Sequence, residues 1–80
     1  MLTAVHPLQR QFGKVLRRRR EAAGLSQEAL AAGAKLHRNY VGLLERGQRM
    51  PSILAAQQLA GALGLTLSRL LAEVEREAEK

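Results

Sequence analysis

Residues 25–47 read LSQEALAAGAKLHRNYVGLLERG, which predicts two short helices joined by a tight turn. With about 100° between successive helical residues, the second helix places Tyr40, Val41 and Leu44 on one side. Its other side holds small and polar residues, with Leu43 at the edge: Arg38, Asn39, Gly42 and Arg46. We therefore expect this helix to bury its apolar side and to expose its polar side.

The polar side of the second helix begins with Arg38 and Asn39. In the major groove, arginine pairs with the guanine edge through two donors, and asparagine pairs with the adenine edge through a donor and an acceptor. This pair at the start of an exposed helix supports the hypothesis that the helix contacts DNA bases. The alternative is that both residues are ordinary solvated helix residues.

The length and composition of the chain predict one small domain. The chain has 80 residues, two histidines and no cysteine, so disulfides and ordinary zinc sites are not expected. No apolar stretch approaches the roughly 18–20 residues that cross a bilayer, and residues 1–14 lack the order of a secretory signal. We expect a cytoplasmic domain without metal, cofactor or membrane partner.

Positive charge is concentrated in the first part of the chain. Residues 1–50 carry ten Lys and Arg against three Glu, whereas residues 51–80 carry three against four. A polyanionic partner explains this asymmetry, although anionic membranes and acidic proteins would also fit. No phosphate loop, nucleophile triad or acid pair occurs in the sequence, which predicts that the chain is not an enzyme.

Helical patterns and end signals extend through the rest of the chain and predict five helices without strands. Leu8, Phe12, Val15 and Leu16 follow the amphipathic spacing i, i+4, i+7 and i+8. The last helix carries Leu67, Leu70, Leu71, Val74 and Ala78 at the amphipathic spacing i, i+3, i+4, i+7 and i+11. Cap and stop residues separate the helices: Gly24, Ser26, His37, Gly47, Ser52, Gly64 and Thr66.

Four ordered segments resemble the Cro/lambda-repressor-like helix-turn-helix proteins, also called the XRE family. They are GLSQEALA (24–31), YVGLLERG (40–47), QRMPS (48–52) and LAGALGLTLSRLL (59–71). The resemblance covers about residues 8–72 and implies a compact five-helix DNA-binding domain in which helices 2 and 3 form the helix-turn-helix. Residues 1–80 are expected to form this single domain, with residues 73–80 as an extension of its last helix.

The same resemblance implies roles for individual residues. It assigns base contacts to Arg38, Asn39, Gly42 and Leu43. It assigns DNA-backbone contacts to Gln27, Arg46, Gln48 and Arg49. Tyr40 is expected to bury its ring, and its hydroxyl group is a further candidate for a phosphate contact. Leu43 is a candidate for contact with a thymine methyl group, and packing at the rim of the domain is the alternative.

Arg20 and Glu45 correspond to a family ion pair that joins the first helix to the recognition helix. Three residues depart from the family pattern. Gly42 is a glycine inside the second helix of the motif, where it lowers helix stability and offers no side chain for base contact. Lys35 replaces a turn glycine, so it must adopt a left-handed conformation unless the turn shifts to Gly33. Arg19 lies within the apolar stripe of the first helix, where it must reach solvent, find a carboxylate or compete with Arg20 for Glu45.

In the last helix, Leu67, Leu70 and Leu71 are needed for the domain's own core. Val74 and Ala78 continue the stripe past the point where the family domain usually ends, which predicts a homodimer seam at Leu70, Val74 and Ala78. Dimers of this architecture read two half-sites about 34 Å apart, so the operator is expected to be an inverted repeat. These expectations together describe a bacterial or phage-encoded, sequence-specific regulator of transcription. The alternative is an antitoxin or adaptor that holds a protein partner such as a toxin and binds DNA secondarily.

Overall fold

Five α-helices account for most of residues 6–79, the part of the chain that the computed structural model describes. They are α1 (Pro7–Ala22), α2 (Gln27–Ala34), α3 (Arg38–Glu45), α4 (Ile53–Ala62) and α5 (Leu67–Ala78). No strand occurs in this range. The all-α fold with its helix-turn-helix at α2 and α3 is confirmed.

A side chain accepts a backbone hydrogen bond at the beginning of each of these helices. The predicted caps Ser26, His37, Ser52 and Thr66 begin α2, α3, α4 and α5. The cap of α1 is His6, whose Nδ1 accepts from the amide of Leu8 at 3.0 Å. These bonds satisfy amides that have no partner inside the helix, and they fix where each helix starts.

The core is formed by one apolar face from each helix. Its largest fully buried side chains are Val15, Leu16, Leu30, Val41, Leu44, Leu59, Leu70 and Val74. Helix α1 contacts both α3 and α5, while α2 contacts α3 and α4. Helix α1 therefore lies between α3 and α5.

The last helix contributes more to this core than the sequence indicates. Leu70 and Val74 are 0% and 1% exposed within the single chain. The prediction that they line a dimer seam is wrong, because their side chains are already covered by the chain's own core. The hydrophobic core therefore extends to Val74. Ala78 is exposed, and its role in a seam stays a prediction.

Gly13 allows α1 and α3 to approach each other closely. A Cβ atom at this position would lie 2.5 Å from the carbonyl oxygen of Leu44 and 2.7 Å from that of Glu45. Both oxygens belong to the backbone and cannot rotate away as a side chain could. A residue without a side chain is therefore required where α1 crosses the end of α3.

None of the described helices is both long enough and apolar enough to cross a membrane. Within residues 6–79, no three His, Asp or Glu side chains gather in a group that could hold a metal ion.

Candidate nucleic-acid interface

The two sides of α3 have different environments. Val41 and Leu44 are fully buried, and Tyr40 is half-buried against the core. Arg38 and Asn39 are exposed at the first turn, and Leu43 is half-buried at the edge. The structure thus presents the two polar side chains that the sequence analysis selected for base contact on the accessible side of a packed helix.

The turn before α3 is set by Lys35 and His37. Lys35 adopts the left-handed conformation with φ of 60°, while Gly33 remains inside α2. The turn has therefore not shifted to the glycine. Nδ1 of His37 accepts a hydrogen bond from the amide of Asn39 at 3.1 Å. This cap sets the position at which Arg38 and Asn39 begin the helix.

A nearly buried ion pair connects α1 to the end of α3, as the family resemblance implies. Nε and Nη2 of Arg20 donate to the two carboxylate oxygens of Glu45 at 2.6 and 3.1 Å. The side chains of Arg20 and Glu45 are only 12% and 4% exposed. The hydrogen bond to Glu45 raises the pKa of Arg20, against the lowering effect of burial. Arg20 also donates to the carbonyl oxygen of Leu25 at 2.9 Å, which joins the start of α2 to the same cluster.

Gln27 and Arg19 have defined partners near this ion pair. Nε2 of Gln27 donates to Oε1 of Glu45 at 3.0 Å, so Gln27 connects the start of α2 to the end of α3. Its contact with a phosphate stays a prediction. Arg19 does not compete for Glu45, because its guanidinium pairs with Glu73 of α5. The carboxylate that Arg19 requires therefore comes from the last helix.

A surface depression lies between the start of α2 and the exposed side of α3. Its lining combines the predicted base-reading residues with residues of the ion-pair cluster: Arg20, Ser26, Gln27, Glu28, Arg38, Asn39, Gly42, Leu43 and Arg46. Gly42 itself is buried, so the prediction that it is exposed on the polar side is wrong. The side chain of Arg46 lies beside this glycine and covers it.

The segment after α3 holds further predicted contact residues. Nε of Arg46 donates to Oε1 of Gln48 at 3.3 Å. The guanidinium carbon of Arg49 lies 5.8 Å from the centre of the Tyr40 ring, within the range of a cation–π contact. Gln48 and Arg49 are both exposed, so their polar groups are accessible beside α3.

Three large apolar side chains of α4 and α5 are exposed, which the sequence did not predict. Ile53 and Leu54 at the start of α4 are 77% and 63% exposed, and Leu71 of α5 is 40% exposed. The spacing of Leu71 resembles that of a core residue, and no signal in the local sequence distinguishes it from Leu70. The local sequence does not mark Ile53 and Leu54 as exposed either, because other consecutive apolar residues of a helix, such as Val15 and Leu16, are both buried in the core.

Residues 16–70 match the family model described as Helix-turn-helix, which is more than half of the chain. The chain therefore belongs to the helix-turn-helix family of DNA-binding transcriptional regulators.

Similar proteins include a control protein and a restriction-modification controller protein. The chain is 38% identical over 68 residues to the control protein C.MunI from a Mycoplasma species. The aligned residues cover 84% of this chain and 92% of that protein. It is similar to the crystal structure of the restriction-modification controller protein C.AhdI from Aeromonas hydrophila, with 47% identity, a TM-score of 0.75, and 78% and 94% of the two chains covered.

A further similar structure is the controller protein C.Esp1396I, a tetramer in complex with its natural 35 base-pair operator. It is 25% identical with a TM-score of 0.83, and 91% of this chain and 96% of that chain are covered. None of these three names indicates a toxin partner.

Proposed function

We propose that this chain is a restriction-modification controller: a sequence-specific transcriptional regulator that binds inverted-repeat operator DNA as a homodimer. The observation that carries the proposal is the exposed start of α3, where Arg38 and Asn39 project from a helix whose other side is packed in the core. Two controller relatives support it, because more than nine-tenths of each is covered by this chain. Its work would be binding without catalysis, in the bacterial cytoplasm where its DNA target lies.

The proposed contacts divide into base readout and backbone contact. Arg38 and Asn39 would pair with base edges in the major groove, and Leu43 would contact a thymine methyl group. Residues around them would hold the sugar-phosphate backbone without reading sequence: Gln27, Tyr40, Gln48 and Arg49. Support for the backbone group comes from Arg49, whose position over the Tyr40 ring presents a cation beside α3.

The proposed dimer seam uses the exposed apolar side chains of α4 and α5. Ile53, Leu54 and Leu71 replace Leu70 and Val74 in this role, because they remain accessible in the single chain. Ala78 stays a candidate for the edge of the seam. The operator-bound relative assembles as a tetramer, which supports a self-association surface in this group of proteins. Leu54→Glu would be expected to yield monomers in analytical ultracentrifugation, whereas a dimer that persists would place the seam elsewhere.

Selection of bound sequences from a random duplex pool tests the main proposal. We expect an inverted repeat whose half-sites lie about 34 Å apart. With about 6–10 phosphates neutralised per dimer, affinity should fall roughly 10³- to 10⁵-fold between 50 and 200 mM salt. A pool without an enriched motif would contradict sequence-specific binding.

Arg38→Ala, with Arg76→Ala as a charge-matched control, tests the base-reading helix. Arg38→Ala should cost about 1–3 kcal/mol on the selected sequence and relax one base pair. Arg76 is exposed on α5 and lines a separate depression with Arg18 and Glu73, so its replacement should leave the sequence preference unchanged. Equal losses on selected and random DNA for Arg38→Ala would contradict direct readout.

The selected sequence also tests the controller assignment. It should recur upstream of neighbouring restriction and modification genes. Recurrence only upstream of unrelated genes would contradict the controller role while leaving sequence-specific regulation intact.

A further inference from the structure

Gly42 creates a space in the middle of α3 that another side chain occupies. A Cβ atom on Gly42 would lie 3.1 Å from Nη1 and 3.8 Å from Cζ of Arg46, and 3.7 Å from Oε1 of Gln27. The guanidinium of Arg46 therefore lies so close to the backbone of Gly42 that a Cβ atom there would make a tight contact with it. Glycine is an unfavourable residue in a helix interior, so the sequence retains it here at a cost in stability.

The position of Arg46 follows from helix geometry. Side chains of a helix lean toward its N-terminus, and residues four apart share a face, so the side chain of Arg46 reaches back over Gly42. The hydrogen bond from its Nε to Gln48 helps to hold this arrangement. The guanidinium is thus brought one turn closer to Arg38 and Asn39, and the three residues line the same depression.

We infer that Arg46 is a base-reading residue of this protein and that Gly42 lets its guanidinium lie close against α3. The inference rests on the proposed DNA-binding function. It differs from the backbone contact that the family resemblance implies for Arg46. A guanidinium presents two parallel donors that match O6 and N7 of guanine, so Arg46 would read a guanine edge in the same groove as Arg38.

The distinction between base and backbone contact decides how Arg46 variants behave. A phosphate contact contributes equally to all sequences, whereas a base contact contributes only to the correct one. The ratio of affinities for selected and random duplexes, measured by fluorescence anisotropy at one salt concentration, therefore separates the two. Arg49, proposed to contact phosphate, supplies the matched control.

Arg46→Ala should reduce this affinity ratio by at least about 5-fold and relax one base pair in each half-site. Arg46→Lys should relax the same base pair, because lysine keeps the charge but loses the two-donor fork. Arg49→Ala should weaken binding to both duplexes by the same factor. If Arg46→Ala also weakens both by the same factor, or changes neither, the inference is overturned.

Gly42→Ala tests the space itself. Its methyl group would lie in tight contact with Nη1 of Arg46 and shift the guanidinium slightly outward, so the affinity ratio should fall and the same base pair should relax, by less than in Arg46→Ala. In the Arg46→Ala background it should cause no further loss. Because alanine favours the helix, Gly42→Ala should melt no lower than the parent protein, which excludes unfolding as the cause. Additive losses would overturn the role of Gly42.

Binding by the parent protein distinguishes a failure of the proposed function from a failure of this inference. A parent protein that does not discriminate between selected and random duplexes contradicts the proposed function. A parent that discriminates, combined with unchanged discrimination in Arg46→Ala, contradicts only this inference.

Discussion

The two sides of α1 are held by different kinds of contact. Toward α3, the backbones meet at Gly13, and the Arg20–Glu45 ion pair is nearly buried. Toward α5, the ion pairs are open on the arginine side: Arg18 and Arg19 are 50% and 38% exposed, whereas their partners Glu77 and Glu73 are 11% and 13% exposed. Both sides therefore use arginine and glutamate, but in surroundings that differ in access to water.

This difference indicates that α3 is held more firmly against α1 than α5 is. A buried pair that loses one partner leaves an uncompensated charge, whereas exposed pairs contribute little because water and salt screen them. The α1–α3 contact also excludes even one methyl group. Base readout requires side chains to be placed within about 0.5 Å, so a rigid contact at the recognition helix suits the proposed function.

The largest effect is expected for Glu45→Ala. It leaves Arg20 nearly buried without its carboxylate and removes the partner of Gln27, at an expected cost of about 3–5 kcal/mol. Urea denaturation followed by circular dichroism would measure this change in the free energy of unfolding. Exposed ion pairs contribute less than about 1 kcal/mol to the free energy of unfolding. A loss in that range would show that the Arg20–Glu45 pair behaves like an exposed pair and stabilises the fold no more than the pairs with α5.

Gly13→Ala tests the close approach of the same helices. The added methyl group would collide with two backbone oxygens of α3, and we expect a loss of about 1–3 kcal/mol. Gly61→Ala is the matched control, because a Cβ atom there meets nothing within 4 Å. The control should be stabilised by about 0.5–1 kcal/mol through helix propensity. Two variants of equal stability would contradict the need for glycine at the crossing.

Lys35→Gly tests the turn that leads into α3. Because Lys35 has φ of 60°, glycine should remove about 1–2 kcal/mol of backbone strain and raise the melting temperature. Gly33→Ala in α2 controls for changes in helix propensity nearby, since its Cβ atom would meet only ordinary contacts. An unchanged or lowered melting temperature in Lys35→Gly would show that the lysine side chain compensates for its conformation.

Much of this architecture could be predicted from local signals. The caps Ser26, His37, Ser52 and Thr66 mark helix starts because their chemistry is local, and the faces of α3 follow from its periodicity. The Arg20–Glu45 pair joins residues 25 positions apart, and only the family resemblance indicated it.

The features that were missed depend on contacts between distant segments. Gly13 has no local signature, because a glycine in an amphipathic helix does not reveal which backbone lies against it. The stripe of α5 extends through Leu70, Leu71 and Val74, but only the packing against α1 separates the buried members from the exposed one. The position of Arg46 over Gly42 depends on the conformation of a long side chain, which periodicity does not specify.

The smallest effect is expected for Glu73→Ala, the counterpart of Glu45→Ala on the other side of α1. Its partner Arg19 is 38% exposed, so water can solvate the guanidinium after the carboxylate is removed. We expect a loss of about 0.2–1 kcal/mol that decreases as salt is added, because screening weakens the pair in the parent protein as well. DNA affinity should be unchanged, since α5 does not carry the proposed reading residues. A loss as large as that of Glu45→Ala would mean that α1 is clamped equally on both sides, and the rigidity assigned to α3 would then belong to the whole domain.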